Sequence, residues 1–123
     1  MAEGEGGLVE RAEPYVTLDG SLITELVRPE REGSRNVSVA EAVLQPGQST
    51  RPHLHRESDE VYYVLSGKGV VTLEANSLTI EPGSCLLIPA RRVHSVRCVG
   101  SEPLTILCLC APPYTHEQTV CQG

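Results

Sequence analysis

His53, His55, Glu60 and His94 are the residues of this 123-residue chain whose types and spacing suit chemistry. His53 and His55 are two apart, so on a strand both imidazoles project from one face, roughly 7 Å from each other along the chain. Glu60 follows across the short polar connection Arg56-Glu57-Ser58-Asp59 and opens the next strand-like segment. His94 enters from a third segment. Three imidazoles and one carboxylate make a nitrogen-and-oxygen donor set suited to one divalent transition ion: Fe(II), Mn(II), Ni(II), Co(II) or Zn(II). An octahedral ion held in this way keeps about two open positions, enough for a bidentate hydroxy-acid, keto-acid or diol. The remaining histidine, His116, reads as a surface residue.

The elements that must position these side chains are short. Eleven Gly and nine Pro are spread along the chain, and the longest run free of both, His53 to Ser66, has 14 residues. Long helices have no room. Between the breaks lie segments rich in Val, Leu, Ile and Thr: Leu22 to Val27, Asn36 to Leu44, Glu60 to Ser66, Gly69 to Glu74, Ser77 to Ile80, Cys85 to Ile88, Val93 to Val99 and Leu104 to Leu109. Their lengths and spacing predict strands. Ser66-Gly67-Lys68-Gly69 and Ala75-Asn76-Ser77 read as hairpin turns, and Gln45-Pro46-Gly47-Gln48 and Glu81-Pro82-Gly83-Ser84 as type II turns with Pro before Gly. Each Pro-Gly turn leads toward histidine. Many short strands with regular turns predict an all-β sandwich or closed barrel. Residues 1–13 are expected to form a flexible arm, 14–111 a single barrel domain and 112–123 an irregular tail.

The first histidine segment runs Gly47, five residues, His53, one, His55, four, Glu60, six, Gly67. It resembles the first motif of the cupin superfamily without departure. The second segment, Gly83, five residues, Pro89, one, Arg91, two, His94, three, Cys98, resembles the second cupin motif with two departures. Arg91 stands where the family has Gly, a position whose positive φ is costly for arginine. Cys98 stands where the family has Asn, which directs a thiol to the interior near the site. The 15 residues between Gly67 and Gly83 resemble the spacing in small single-domain bacterial members. The tail Pro112-Pro-Tyr-Thr-His-Glu-Gln-Thr is similar to the ending of mannose-6-phosphate-isomerase-like cupins. The resemblance implies a jelly-roll-like β-barrel of two antiparallel sheets with metal ligands at His53, His55, Glu60 and His94. It also implies a homodimer, with Leu22 to Val27 pairing with or packing on the partner.

If the ligands point inward, alternation sends Tyr62, Val64, Val96 and Cys98 inward as pocket walls. Arg51 and Arg92 each lie two residues before a ligand histidine and reach the barrel mouth if their strands extend that far. An inward arginine suits a carboxylate or phosphate. Cys108 and Cys110 share a face of the last strand, as small buried hydrophobes or as a pair of metal ligands. The functional expectation is a metalloenzyme acting on a small anionic or hydroxylated metabolite, with one Fe(II) or Mn(II) in dioxygenase-type chemistry, or with isomerase or lyase chemistry. The alternatives are a non-catalytic binder of small molecules and a closed structural metal site.

Composition narrows the partners. Ten Lys+Arg against 16 Asp+Glu give a net charge of -6, which argues against nucleic-acid and anionic-membrane surfaces. No stretch approaches the roughly 18 apolar residues of a membrane span. The N-terminus, acidic and glycine-rich, lacks the basic and apolar pattern of a secretory signal, so the expected compartment is the cytoplasm. Five cysteines without a CxxC pair are accordingly expected as reduced thiols.

Overall fold

The computed structural model describes residues 6–122; the first five residues of the expected arm and the last of the tail lie outside it. Among the described residues eleven strands form: β1 (Tyr15–Val16), β2 (Leu22–Val27), β3 (Ser38–Leu44), β4 (His53–His55), β5 (Asp59–Ser66), β6 (Lys68–Leu73), β7 (Asn76–Ile80), β8 (Cys85–Ile88), β9 (His94–Val99), β10 (Leu104–Ala111) and β11 (Thr119–Cys121). A one-turn helix, α1 (Pro29–Glu32), follows β2, with Pro29 at its start and Gly33 closing it. None of the helices described is long and apolar enough to cross a membrane.

The strands pair antiparallel into two sheets, one ordered β1-β2-β3-β10-β5-β8 and the other β11-β4-β9-β6-β7. This is the all-β architecture that the strand pattern predicts and the barrel of two antiparallel sheets that the cupin resemblance implies. Both Pro-Gly turns lie where the chain changes sheet, from β3 to β4 and from β7 to β8. Gly47 and Gly83 sit at φ 82° and 89°, the conformation a type II turn requires. The turns close through Gln48 N–H to the Gln45 carbonyl at 2.9 Å and Ser84 N–H to the Glu81 carbonyl at 2.8 Å.

One expected hairpin is a sheet change. β5 and β6, joined at Gly67, belong to different sheets, because alternation continues through the corner without the two strands pairing. Gly67 sits at φ 82°, and a Cβ there would lie 2.3 Å from the Pro103 carbonyl oxygen. Any side chain would push β10's approach away. The other hairpin, β6 to β7, turns on Glu74 and Ala75, with Asn76 already in the strand opposite Leu73. The short edge strands β1 and β11 were hidden because two or three residues carry no readable alternation. β2 is not a free edge: β1 and β3 flank it within the chain.

The core lies between the sheets and includes Leu44, Val64, Val71, Ile80, Ile88, Leu104 and Ile106. Residues 112–122, expected to be irregular, return to the barrel: β11 pairs with β4, Thr119 opposite His55 and Cys121 opposite His53.

Arg91 adopts φ 70° and keeps the turn, its N–H donating to the His55 carbonyl at 2.7 Å. A left-handed conformation costs a side-chain-bearing residue roughly 1 kcal/mol or more. Arg91→Gly should therefore raise unfolding stability by about 1 kcal/mol in urea titration; an unchanged or lower midpoint would show that the arginine side chain compensates for its backbone.

Candidate metal centre

Each ligand position follows from a strand. His53 and His55 project from β4, His94 projects from the neighbouring β9 with His53 and His94 directly opposite, and Glu60 faces them from β5 in the other sheet. All four are buried, and one donor atom from each lies within 4.8 Å of the others. Three nitrogens thus come from one sheet and the carboxylate from the other.

The hydrogen bonds fix which nitrogen faces inward. His53 Nδ1 lies 2.8 Å from the Arg51 carbonyl and His94 Nδ1 3.0 Å from the Arg92 carbonyl. A carbonyl only accepts, so each Nδ1 carries the proton and Nε2 presents its lone pair. His55 Nδ1 lies 3.1 Å from Thr119 Oγ1, whose own hydroxyl donates to the Thr115 carbonyl at 3.0 Å. The same tautomer results. Three Nε2 lone pairs therefore converge on Glu60, whose Oε1 lies 3.2 Å from His55 Nε2 and 3.4 Å from His94 Nε2.

Only acceptors meet at this point unless a cation sits among them. His94 Nε2 is buried without a hydrogen-bond partner. The donor set, its inward tautomers and this orphaned nitrogen fit one divalent transition ion, with the Nδ1–carbonyl and Nδ1–hydroxyl contacts supplying the orienting bonds such ligands normally make. Without metal, protons stand in. Burial alone would raise the Glu60 carboxyl, but His55 and His94 outweigh it and hold it well below the ordinary carboxylate range. Burial likewise opposes charge on His94, yet the Glu60 carboxylate raises its pKa above 6.5. Burial, then the neighbouring His94 charge, lower that of His53.

Metal uptake must therefore displace the His94 proton, whereas His53 is already neutral. Affinity should rise with pH through 6.5 and above, by about tenfold per pH unit, and level off once His94 is deprotonated in the apoprotein. Calorimetry in buffers of different ionisation enthalpy should register proton release on metal binding wherever the apoprotein still holds the His94 proton. A pH-independent affinity there would show that His94 holds no proton to displace.

The site opens into a cavity of about 440 Å3. Of the expected pocket residues, Tyr62 and Val96 line it. Burial, then Glu60, push the Tyr62 phenol well above its usual value, so it remains a neutral hydroxyl. Val64 and Cys98 also point inward, each 1% exposed, but belong to the core beneath; the Cys98 thiol donates to the Glu102 carbonyl at 3.2 Å. The thiols at the site are instead Cys108 and Cys110, which line the cavity. Cys110 is the cross-strand neighbour of Glu60 and its thiol donates to Glu60 Oε2 at 3.5 Å. Burial, then Glu60, push both thiols upward. Cys110 thus orients the carboxylate from the side away from the histidines. All five cysteines are free.

Arg51 and Arg92 are exposed and do not line the cavity. Neither lies in a strand, since β4 begins at His53 and β9 at His94, so alternation does not carry their side chains inward. What each brings to the site is its backbone carbonyl.

Sequence reasoning missed Asp19. The loop between β1 and β2 holds its Oδ1 through the Ser21 N–H at 2.9 Å and the Ser21 hydroxyl at 2.6 Å, and leaves Oδ2 3.6 Å from His53 Nε2. The signal was present: Asp19-Gly20 between apolar runs marks a hairpin. The tail was missed as well. Tyr114 stacks edge-on against His55 with ring centres 5.5 Å apart and its hydroxyl lies 2.8 Å from His116 Nδ1, so exposed His116 joins the cavity rim.

A model of the cupin domain matches residues 40–110. An uncharacterized protein of Methanocaldococcus jannaschii, MJ1618, is 39% identical over 110 residues, covering 89% of this chain and 88% of that protein. Glucose-6-phosphate isomerase of Thermococcus gammatolerans is 34% identical over 101 residues; the match covers 72% of this chain but 52% of the isomerase, so the chain spans about half that enzyme's length. Among solved structures, TT1209 from Thermus thermophilus superposes with TM-score 0.68 at 27% identity, covering 81% of this chain and 90% of that one. Two antiparallel sheets closing on a three-histidine, one-glutamate site, together with this match over more than half the sequence, establish that the chain belongs to the cupin family.

Proposed function

We propose that this chain is a metal-dependent enzyme acting on a small oxygen-rich metabolite by isomerase or lyase chemistry. The observation that carries this reading is the convergence of three inward Nε2 lone pairs and Glu60 on the floor of an open cavity rather than in a closed shell. A bound divalent ion would polarise a carbonyl or hydroxyl oxygen and acidify the carbon beside it. Around that position the chain's own groups bind and orient: Tyr62 supplies a neutral phenol, and Asp19 places a carboxylate oxygen against the histidines. The similarity to glucose-6-phosphate isomerases supports isomerisation over oxidation.

The test is turnover of a panel of aldoses, ketoses and hydroxy-acids by protein loaded with Mn(II), Fe(II) or Zn(II), run with and without oxygen. Metal-dependent conversion that persists without oxygen is expected. Conversion that requires oxygen and Fe(II) would make the chain a dioxygenase, and no conversion with metal bound would make it a binder.

Homodimerisation is part of the same proposal. With β2 flanked on both sides, contact falls to the exposed apolar residues at that end, Val16, Leu18 and Leu22, which are 68%, 46% and 39% exposed. Light scattering is expected to give twice the 13.3 kDa chain mass; the monomer mass would overturn it.

A further inference from the structure

We infer that the cavity takes an uncharged, hydroxyl-bearing ligand and discriminates against a phosphorylated or otherwise multiply anionic one. This deepens the proposed function and rests on its reading of the cavity as a substrate site. The distribution of charge on the wall is what points there.

Among the described residues, Arg28 is the sole lysine or arginine lining the cavity. Its Nη1 is 2.6 Å from Glu25 Oε2, also in the wall, so the one guanidinium charge is already neutralised. Four further carboxylates line the same space: Asp19 and Glu60 at the floor, Glu30 and Glu117 at the rim. A divalent ion would balance the two floor carboxylates and leave nothing over. A phosphate group carries close to two negative charges at neutral pH and is recognised by unpaired Arg or Lys, by Mg2+ or by convergent backbone N–H groups. Here it would instead face the rim carboxylates.

Neutral donors and acceptors are abundant. The hydroxyl-bearing side chains of Thr17, Thr50, Thr119, Tyr15 and Tyr114 are among its lining residues. Arg28 Nε is buried without a partner, a donor left over for one ligand oxygen once Glu25 has taken the charge. Ile23, Ala42, Leu44 and Ile106 add apolar surface to the same cavity. A polyol or cyclic sugar, with hydroxyls and hydrocarbon surface in one molecule, matches this mixed lining, and about 440 Å3 is within the range of ordinary small-ligand sites.

The experiment compares a ketohexose with its own 6-phosphate on protein loaded with Mn(II), reading paramagnetic relaxation of ligand protons against metal content measured in the same sample. The free sugar is expected to bind at least tenfold more tightly than the ester. Glu25→Gln, which releases Arg28, should narrow that gap severalfold by strengthening the ester while metal content stays constant. Equal or tighter binding of the ester by the parent protein would overturn the inference, as would a gap unmoved by Glu25→Gln or relaxation of neither probe with metal bound. Protein that takes up no metal would overturn the proposed function instead. The two ligands would then be compared on the apoprotein by saturation transfer, with the same order expected and the reverse order fatal.

Discussion

Protein carrying both His53→Ala and His55→Ala and purified without chelator is expected to hold less than about a tenth of an ion per chain, where the parent holds about one. Two of four donors disappear, and with them the only inward lone pairs from β4. Glu60 and His94 remain, but a carboxylate and one imidazole facing each other at 3.4 Å form a protonated pair rather than a cage. Elemental analysis checks the result, with His116→Ala as the control that keeps its metal. A double variant with stoichiometric metal would place the ion elsewhere. A graded version comes from Thr119→Val, which removes the acceptor that fixes His55 Nδ1. Loss of such an orienting partner lowers metal affinity by about 10- to 100-fold.

The second large effect lies in the tail. Gln118 is 5% exposed and sits where the chain between His55 and Glu60 turns. Its Oε1 accepts from the N–H groups of Glu57 and Ser58, both at 2.9 Å, and its Nε2 donates to Ser58 Oγ at 2.7 Å and the Pro113 carbonyl at 3.3 Å. Gln118→Ala removes every one of these bonds and leaves polar groups without partners. At about 1 to 3 kcal/mol for each buried group left unpaired, a loss of about 3 kcal/mol in unfolding stability is expected by urea titration. Metal affinity should fall with it, because the segment that spaces His55 from Glu60 loses its anchor. Gln118→Glu keeps an acceptor oxygen for the two N–H groups and should cost less. A loss under about 0.5 kcal/mol for Gln118→Ala would mean that water replaces the side chain.

What could be read from the sequence was local. The Pro-Gly turns announce themselves by composition, the i, i+2 histidines declare a strand face, and the apolar runs mark β2, β3 and β5 to β10. Contacts across long separations were illegible. Gln118 and Ser58 are 60 positions apart, Cys110 and Glu60 are 50, and nothing in either neighbourhood names the other. Cys110 looked like a small hydrophobe because its role exists only once β10 lies beside β5. The Gly67 corner shows the same limit: strand alternation says that a chain turns, but not whether its next strand joins the same sheet. Arg51 and Arg92 fell between these cases, since their spacing from the histidines was informative but applied to the carbonyl rather than to the side chain.

That last distinction bears on how this chain is free to change. His53 and His94 are each held by the carbonyl two residues earlier, a group every amino acid possesses. The side chains at 51 and 92 can therefore drift in size and sign without retuning either ligand. A lineage of such proteins is able to repaint the outer surface beside its metal, acquiring new neighbours or shedding old ones, while the coordination chemistry is inherited intact.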